Sequence, residues 1–192
     1  MLVVVWLAAG LCFAQGQVLQ PSDGSTPTFG VTVVDSLGLQ GRIYKIRGGS
    51  KKLPNFKKMK PLGSIYTSKL NIPTRSFTEG FPGVTNRFEW FAIDYTGRFW
   101  IEKPGVYAFS LMSDDGSKLY IDDQTVIDND GIHAAHTEFG KVDLNEGVHT
   151  IRVSYFQGPR MELALILKVQ QPDARRFEVF DTHQFRPPQE GK

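Results

Sequence analysis

The stretch Met161-Glu-Leu-Ala-Leu-Ile-Leu-Lys-Val-Gln170 decides the fold class. Met161, Leu163, Leu165, Leu167 and Val169 recur at every second residue, opposed by Glu162, Ala164, Ile166, Lys168 and Gln170. On a helix this spacing would scatter the leucines around the surface, whereas on a strand it gathers them on one face. A strand is therefore predicted, despite leucine's preference for helices. The same period runs through residues 106–112, where Tyr107, Phe109 and Leu111 share a face, and through 149–156, where Ile151, Val153 and Tyr155 do. Strands are also predicted at 88–95 and 98–101 on either side of a turn at Gly97, and at 118–121 and 124–127 around the polar pair Asp122 and Asp123. Shorter ones are expected at 42–46 and 63–67, with an edge strand at 176–180. Nine or ten half-apolar strands of this kind bury their faces only as an all-β antiparallel sandwich or barrel.

Length and composition fit a single core. A chain of 192 residues suits one domain with short tails. Its 14 Phe, 6 Tyr and 3 Trp supply enough apolar area to argue against disorder. Residues 1–14 form an apolar run too short to span a bilayer as a helix, and they end in Cys12, Phe13 and Ala14, the small-residue spacing of a secretory cleavage site. No Lys or Arg precedes the run, so either Met1 supplies the positive charge or the start lies inside a longer signal. Residues 15–30 read as a flexible leader, 31–181 as the domain and 182–192 as a tail. The expected location is secreted, or in the cell envelope or periplasm, with no transmembrane segment after the signal is removed. Cys12 is the sole cysteine, so the mature chain has no disulfide and relies on its core, with a bound ion as a further support.

A formal charge of +2 does not suggest a nucleic-acid partner. Five lysines fall within residues 51–60, a run open to reading as a patch for acidic polysaccharide or a membrane surface. Pro54 and the absence of arginine favour a solvated loop instead. Residues 128–133 are acidic but lack the ligand ladder and closing glutamate of an EF-hand, so Asp130 and His133 are expected to lock a turn by hydrogen bonds. His133 and His136 have no third partner for zinc and read as polar loop surface.

Ser113-Asp-Asp-Gly-Ser117 lies between two strong strands, at a rim where side chains converge. Adjacent carboxylates at Asp114 and Asp115 repel, and a hard cation with oxygen ligands would relieve that repulsion. Asp-Asp-Gly is also a good turn sequence, so spacing alone leaves both readings open.

Four segments, YAFSLMSDDGSKLYIDD (107–123), VIDNDGIH (126–133), LNEGVH (144–149) and YFQGP (155–159), together resemble the PA14 family, named after the amino-terminal part of protective antigen. The resemblance covers about residues 37–172. It implies a β-barrel or sandwich of the kind attached to glycosidases, proteases, toxins and adhesins. In the lectin members two consecutive aspartates, joined by a cis peptide, bind calcium, and the ion binds sugar hydroxyls. Asp114 and Asp115 match that pair. The remaining ligands would come from residues 156–160, with Gln157 offering its amide oxygen and Gly158 or Arg160 a carbonyl, while Arg160 also reaches a sugar hydroxyl or lies on plain surface. The implied cofactor is calcium and the implied partner a glycan or cell-surface polysaccharide. No nucleophile elbow, zinc-protease helix or phosphate-cradling glycine loop is present, and neighbouring aspartates do not flank a bond as a glycosidase pair does. The expectation is a secreted, non-catalytic, calcium-dependent carbohydrate-binding or adhesion module. The alternatives are a protein-interaction or structural module of an exported assembly, or an accessory domain of a carbohydrate-active system.

Overall fold

The computed structural model describes residues 38–84, 89–159 and 161–188. The expected signal, the leader, the start of the domain at 31 and Arg160 lie outside them. Eleven antiparallel strands occupy the described residues: β1 (Leu39–Lys45), β2 (Gly63–Thr67), β3 (Asn71–Ser76), β4 (Phe91–Ile101), β5 (Gly105–Asp114), β6 (Ser117–Ile121), β7 (Gln124–Asn129), β8 (His136–Leu144), β9 (Gly147–Gln157), β10 (Glu162–Gln170) and β11 (Glu178–Val179). One sheet runs β2-β1-β4-β9-β6-β7, and the other β11-β10-β5-β8 with β3 also paired to β10. The all-β antiparallel sandwich expected from the periodicity is the fold observed. No helix among the described residues is long and apolar enough to cross a membrane.

The core lies between the sheets and follows the alternating pattern. Leu163, Leu165, Leu167 and Val169 of β10, Tyr107, Phe109 and Leu111 of β5, and Ile151, Val153 and Tyr155 of β9 are all buried in one cluster. Met161 does not join them and is 76% exposed, because β10 begins only at Glu162. Gly97 is no turn: β4 runs straight through it. A Cβ there would stand 2.8 Å from Leu39 Cδ2, so this glycine permits close approach of the neighbouring chain. Between β6 and β7, Asp122 and Asp123 take positive φ values of 48° and 62° and form the expected two-residue hairpin turn.

Three expectations need correction. His136 opens β8 and does not belong to a loop. The segment from residue 182 is no tail: Thr182 is buried, and Phe185 stacks on Phe180 with ring centroids 5.0 Å apart. The lysine-rich loop is anchored as well as solvated. Leu53, Phe56 and Met59 pack against Ile46, Ala92 and Phe156, and Phe56 meets Tyr44 at 5.1 Å between rings.

β5 belongs to one sheet and β6 to the other, so Asp114, Asp115 and Gly116 turn the corner between them. Buried polar groups fix that corner. The hydroxyls of Ser113 and Ser117 lie 2.7 Å apart, and the Asn129 amide donates to Ser113 Oγ at 3.1 Å and to the His136 carbonyl at 3.2 Å. Gly116 has no room for a side chain, since a Cβ would lie 2.6 Å from the Gly131 nitrogen. The loop between β7 and β8 is thereby pressed against the corner.

Candidate functional site

Asp114 and Asp115 are joined by a cis peptide bond and are 5% and 4% exposed. Three loops and strands converge on them. Asp115 Oδ1 accepts the His133 amide at 3.2 Å, from the loop between β7 and β8. Its Oδ2 accepts the Gly158 amide at 2.8 Å and faces Gln157 Nε2 at 3.4 Å, both at the end of β9. Asp114 is held through its main chain: the Tyr155 hydroxyl donates to its carbonyl at 2.7 Å. The same hydroxyl lies 2.5 Å from Gln157 Oε1, so one proton serves two buried acceptors and ties the aspartate corner to the β9 loop.

The two carboxylates differ in electrostatics. Burial, then the charge of Asp115, then that of Glu162 push Asp114 up to about 6, against smaller opposing effects of His133 and the Ala135 amide. Burial also raises Asp115, and the amides of Gly158 and His133 with the His133 charge offset this. Among the described residues, no Lys or Arg forms an ion pair with either aspartate. Among the described residues, negative charge is thus concentrated at this corner without an ion pair to Lys or Arg.

The expected ligand residues are brought together, but with different atoms facing the aspartates. Gln157 meets Asp115 through its NH2 group, which also reaches the carbonyls of Pro159 at 3.3 Å and Glu162 at 3.1 Å, while its oxygen is turned toward Tyr155. Gly158 meets Asp115 through its N–H, and its carbonyl accepts the Trp90 amide at 3.3 Å. The acidic loop behaves as the sequence suggests. Asp130 accepts the Leu53 amide at 2.8 Å, and both ring nitrogens of His133 face carbonyls, those of Ala134 and Asn129, at 3.0 Å each. No group of three or more His, Cys, Asp or Glu side chains placed to hold a metal occurs among the described residues.

Calcium takes six to eight oxygens and accepts carboxylate, amide, carbonyl and water together. Part of such a donor set is present: two adjacent buried carboxylates that repel each other, with the Pro159 carbonyl reached by the same Gln157 NH2 group that faces Asp115. Asp114 and Asp115 would hold the ion. Gln157 would join them only with its amide reversed and the Tyr155 hydroxyl accepting from it.

Tyr155 is the functional residue that sequence reading missed. Its inward position on an alternating strand was legible, but its hydroxyl contact with a residue 41 positions away was not. Phenylalanine at this position is expected to leave both acceptors unpartnered and cost about 1–2 kcal/mol. Thermal denaturation without calcium should register a fall of roughly 2–8 °C.

A family model for the PA14 domain matches residues 35–182. Solved structures share the fold. The PA14 sugar-binding domain from RTX adhesin is 19% identical at a TM-score of 0.61, covering 76% of this chain and 96% of its own. The PA14 domain of the MpAFP antifreeze protein is 16% identical at 0.63, covering 85% and 94%. The Epithelial Adhesin 9 A domain from Candida glabrata, solved in complex with Galb1-3GlcNAc, is 14% identical at 0.56, covering 77% and 87%. No curated protein sequence matches the chain. With a family model spanning most of its length and PA14 domains among its structural neighbours, the chain belongs to the PA14 family.

Proposed function

We propose that this chain is a calcium-dependent carbohydrate-binding module that works outside the cytoplasm in recognition or adhesion, without catalysis. One observation carries the reading: two buried, mutually repelling carboxylates meet at the corner between the sheets, with Asp114 raised to about 6 and Asp115 locked by the Gly158 and His133 amides. Bound there, calcium would exchange part of its water shell for vicinal sugar hydroxyls. The protein's own part is to fix the carboxylates through Tyr155 and to shape the rim, where Ile132, 44% exposed, offers an apolar surface to the C–H face of a sugar. The likeness to a sugar-binding domain of an RTX adhesin and to a Candida glabrata adhesin domain in complex with Galb1-3GlcNAc supports the same reading.

Calorimetric titration of the full chain with calcium is the direct test, followed by a glycan array with and without chelator. Binding in the 10⁻⁴–10⁻³ M range usual for extracellular modules is expected, with glycan signals that disappear in chelator. Absence of both heat and a calcium-dependent melting shift would remove the proposal. A protein-docking role draws support from one separate feature: Phe139, 65% exposed, pairs with Phe177 on the outer face of the second sheet, at 5.7 Å between rings.

A further inference from the structure

The outer face of the six-stranded sheet carries a row of charges in register. Arg42 stands opposite Asp94, Asp94 opposite Ser154, Ser154 opposite Lys118 and Lys118 opposite Asp128. In this row the charges are matched. Ser154 donates to Asp94 at 2.6 Å, and Lys118 pairs with Asp128 at 2.9 Å and Asp130 at 3.6 Å. Two residues along β9 the pattern breaks, because Arg152 has Thr96 on one side and Tyr120 on the other. Its guanidinium lies over the Tyr120 ring, 3.8 Å from the centroid. Its Nε is buried without a hydrogen-bond partner, and no ion pair to a described residue holds the group. Asp94, diagonal to it, attracts it without a hydrogen bond or ion pair, and more strongly than it attracts Arg42.

This arginine faces a cleft of about 340 Å³, closed on the far side by the lysine-rich loop. The loop wall supplies Asn55 and Lys57, and it is fixed in place by the hydrogen bond from Leu53 N–H to Asp130. Asn55 Oδ1 accepts the Lys57 amide, which leaves its NH2 group to donate. The cleft therefore presents donors from both walls around a guanidinium held over an aromatic ring, and Lys118 and the Asp130 carboxylate, paired with each other, line it as well. A planar fork with unused N–H groups matches a carboxylate or sulfate group, and stacking on an aromatic ring removes much of the ordering cost of binding it.

We propose that this cleft binds the anionic group of a small acidic sugar, a carboxylate or a sulfate ester, with Arg152 as the principal contact and Lys57 and Asn55 opposite. The volume lies at the lower end of small-ligand sites and suits one sugar unit. The proposal is independent of calcium at Asp114 and Asp115, and its test is made without calcium. The full chain, labelled with ¹⁵N in low-salt buffer, is titrated with glucuronate, glucose 6-sulfate, glucose and inorganic sulfate while the Arg152 Nε–H resonance is followed. At least one acidic sugar should move that resonance, and which one does identifies the anionic group. Glucose should not move it. Read on the Asn55 and Lys57 backbone amide resonances, which both variants keep, Arg152→Gln should weaken binding about tenfold or more, and Arg152→Lys should fall between. Asp114→Asn should leave it unchanged. The proposal is overturned if neither acidic sugar moves the resonance, if inorganic sulfate binds as tightly as the sugars, or if a folded Arg152→Gln variant keeps full affinity.

Discussion

Asp115→Ala is expected to abolish calcium binding and to lower the melting temperature of the calcium-free protein by roughly 6–12 °C, whereas Asp114→Asn should abolish binding with no loss of stability. The difference follows from what each carboxylate does in the fold. Asp115 accepts two main-chain amides and faces the Gln157 NH2 group. Truncating it strands buried donors at about 1–3 kcal/mol each, partly offset by removal of a buried charge, for a net cost of about 3 kcal/mol. Asparagine is no remedy at 115: both carboxylate oxygens accept, so in either orientation its NH2 group would face a donor. Asp114 is the opposite case. Its charge is penalised by burial and by Asp115 and Glu162, and the neutral amide keeps an oxygen for the Ala135 N–H. Calcium titration calorimetry and thermal melts of the two variants check the pair. Retained calcium binding in a folded Asp114→Asn variant would refute the site.

The fold was legible because its longest strands each bury one apolar face. β10, β5 and β9 declare themselves by alternation alone, and the hairpin at Asp122 and Asp123 by its turn residues. β8 was not legible. Its inward positions include Glu138 and Gly140, with only Val142 and Leu144 apolar beyond them, and its largest side chain, Phe139, points to solvent. Gly140 is needed there because a Cβ would lie 2.2 Å from the Val126 carbonyl of β7, a contact between strands that no local pattern encodes. The aspartate pair was visible as adjacent like charges at a strand end, and Gln157 and Gly158 as a loop at the same rim. Which atoms of those residues face the site was not visible, because Tyr155 and Trp90 decide it through contacts across the domain. Arg152 was hidden for a similar reason: an arginine in an alternating strand looks solvated until the opposite residues prove to be threonine and tyrosine.

Stability should fall with rising pH in the absence of calcium and lose most of that fall in its presence. Without calcium, Asp114 holds its proton up to about pH 6 in the folded chain but releases it near 3.8 when unfolded. Between those values the folded state binds more protons, so stability falls as pH rises through the window and then levels off. Burial raises Asp115 and Asp94 as well, and both act in the same direction. Asp122 runs the other way: partial burial raises it, but hydrogen bonds from His149 and Thr150 bring it below 3.8, so its contribution is lost only at more acid pH. The calcium-free protein should therefore be more stable near pH 4.5 than near pH 7, by on the order of 2 kcal/mol once solvent screening is allowed for. Calcium bound at this corner would offset this, because it would need the carboxylates ionised and protons would compete with it. At a hundredfold excess over its dissociation constant it adds about 2.7 kcal/mol at neutral pH, and that increment disappears on acidification through pH 6. Melting curves from pH 4 to 8, in chelator and in calcium, should separate above pH 6 and converge as the pH falls toward 4. Asp114→Asn should flatten the chelator curve and remove the calcium increment together, since one carboxyl group is responsible for both. Parallel curves in chelator and calcium would mean that protons and the cation do not meet at this corner.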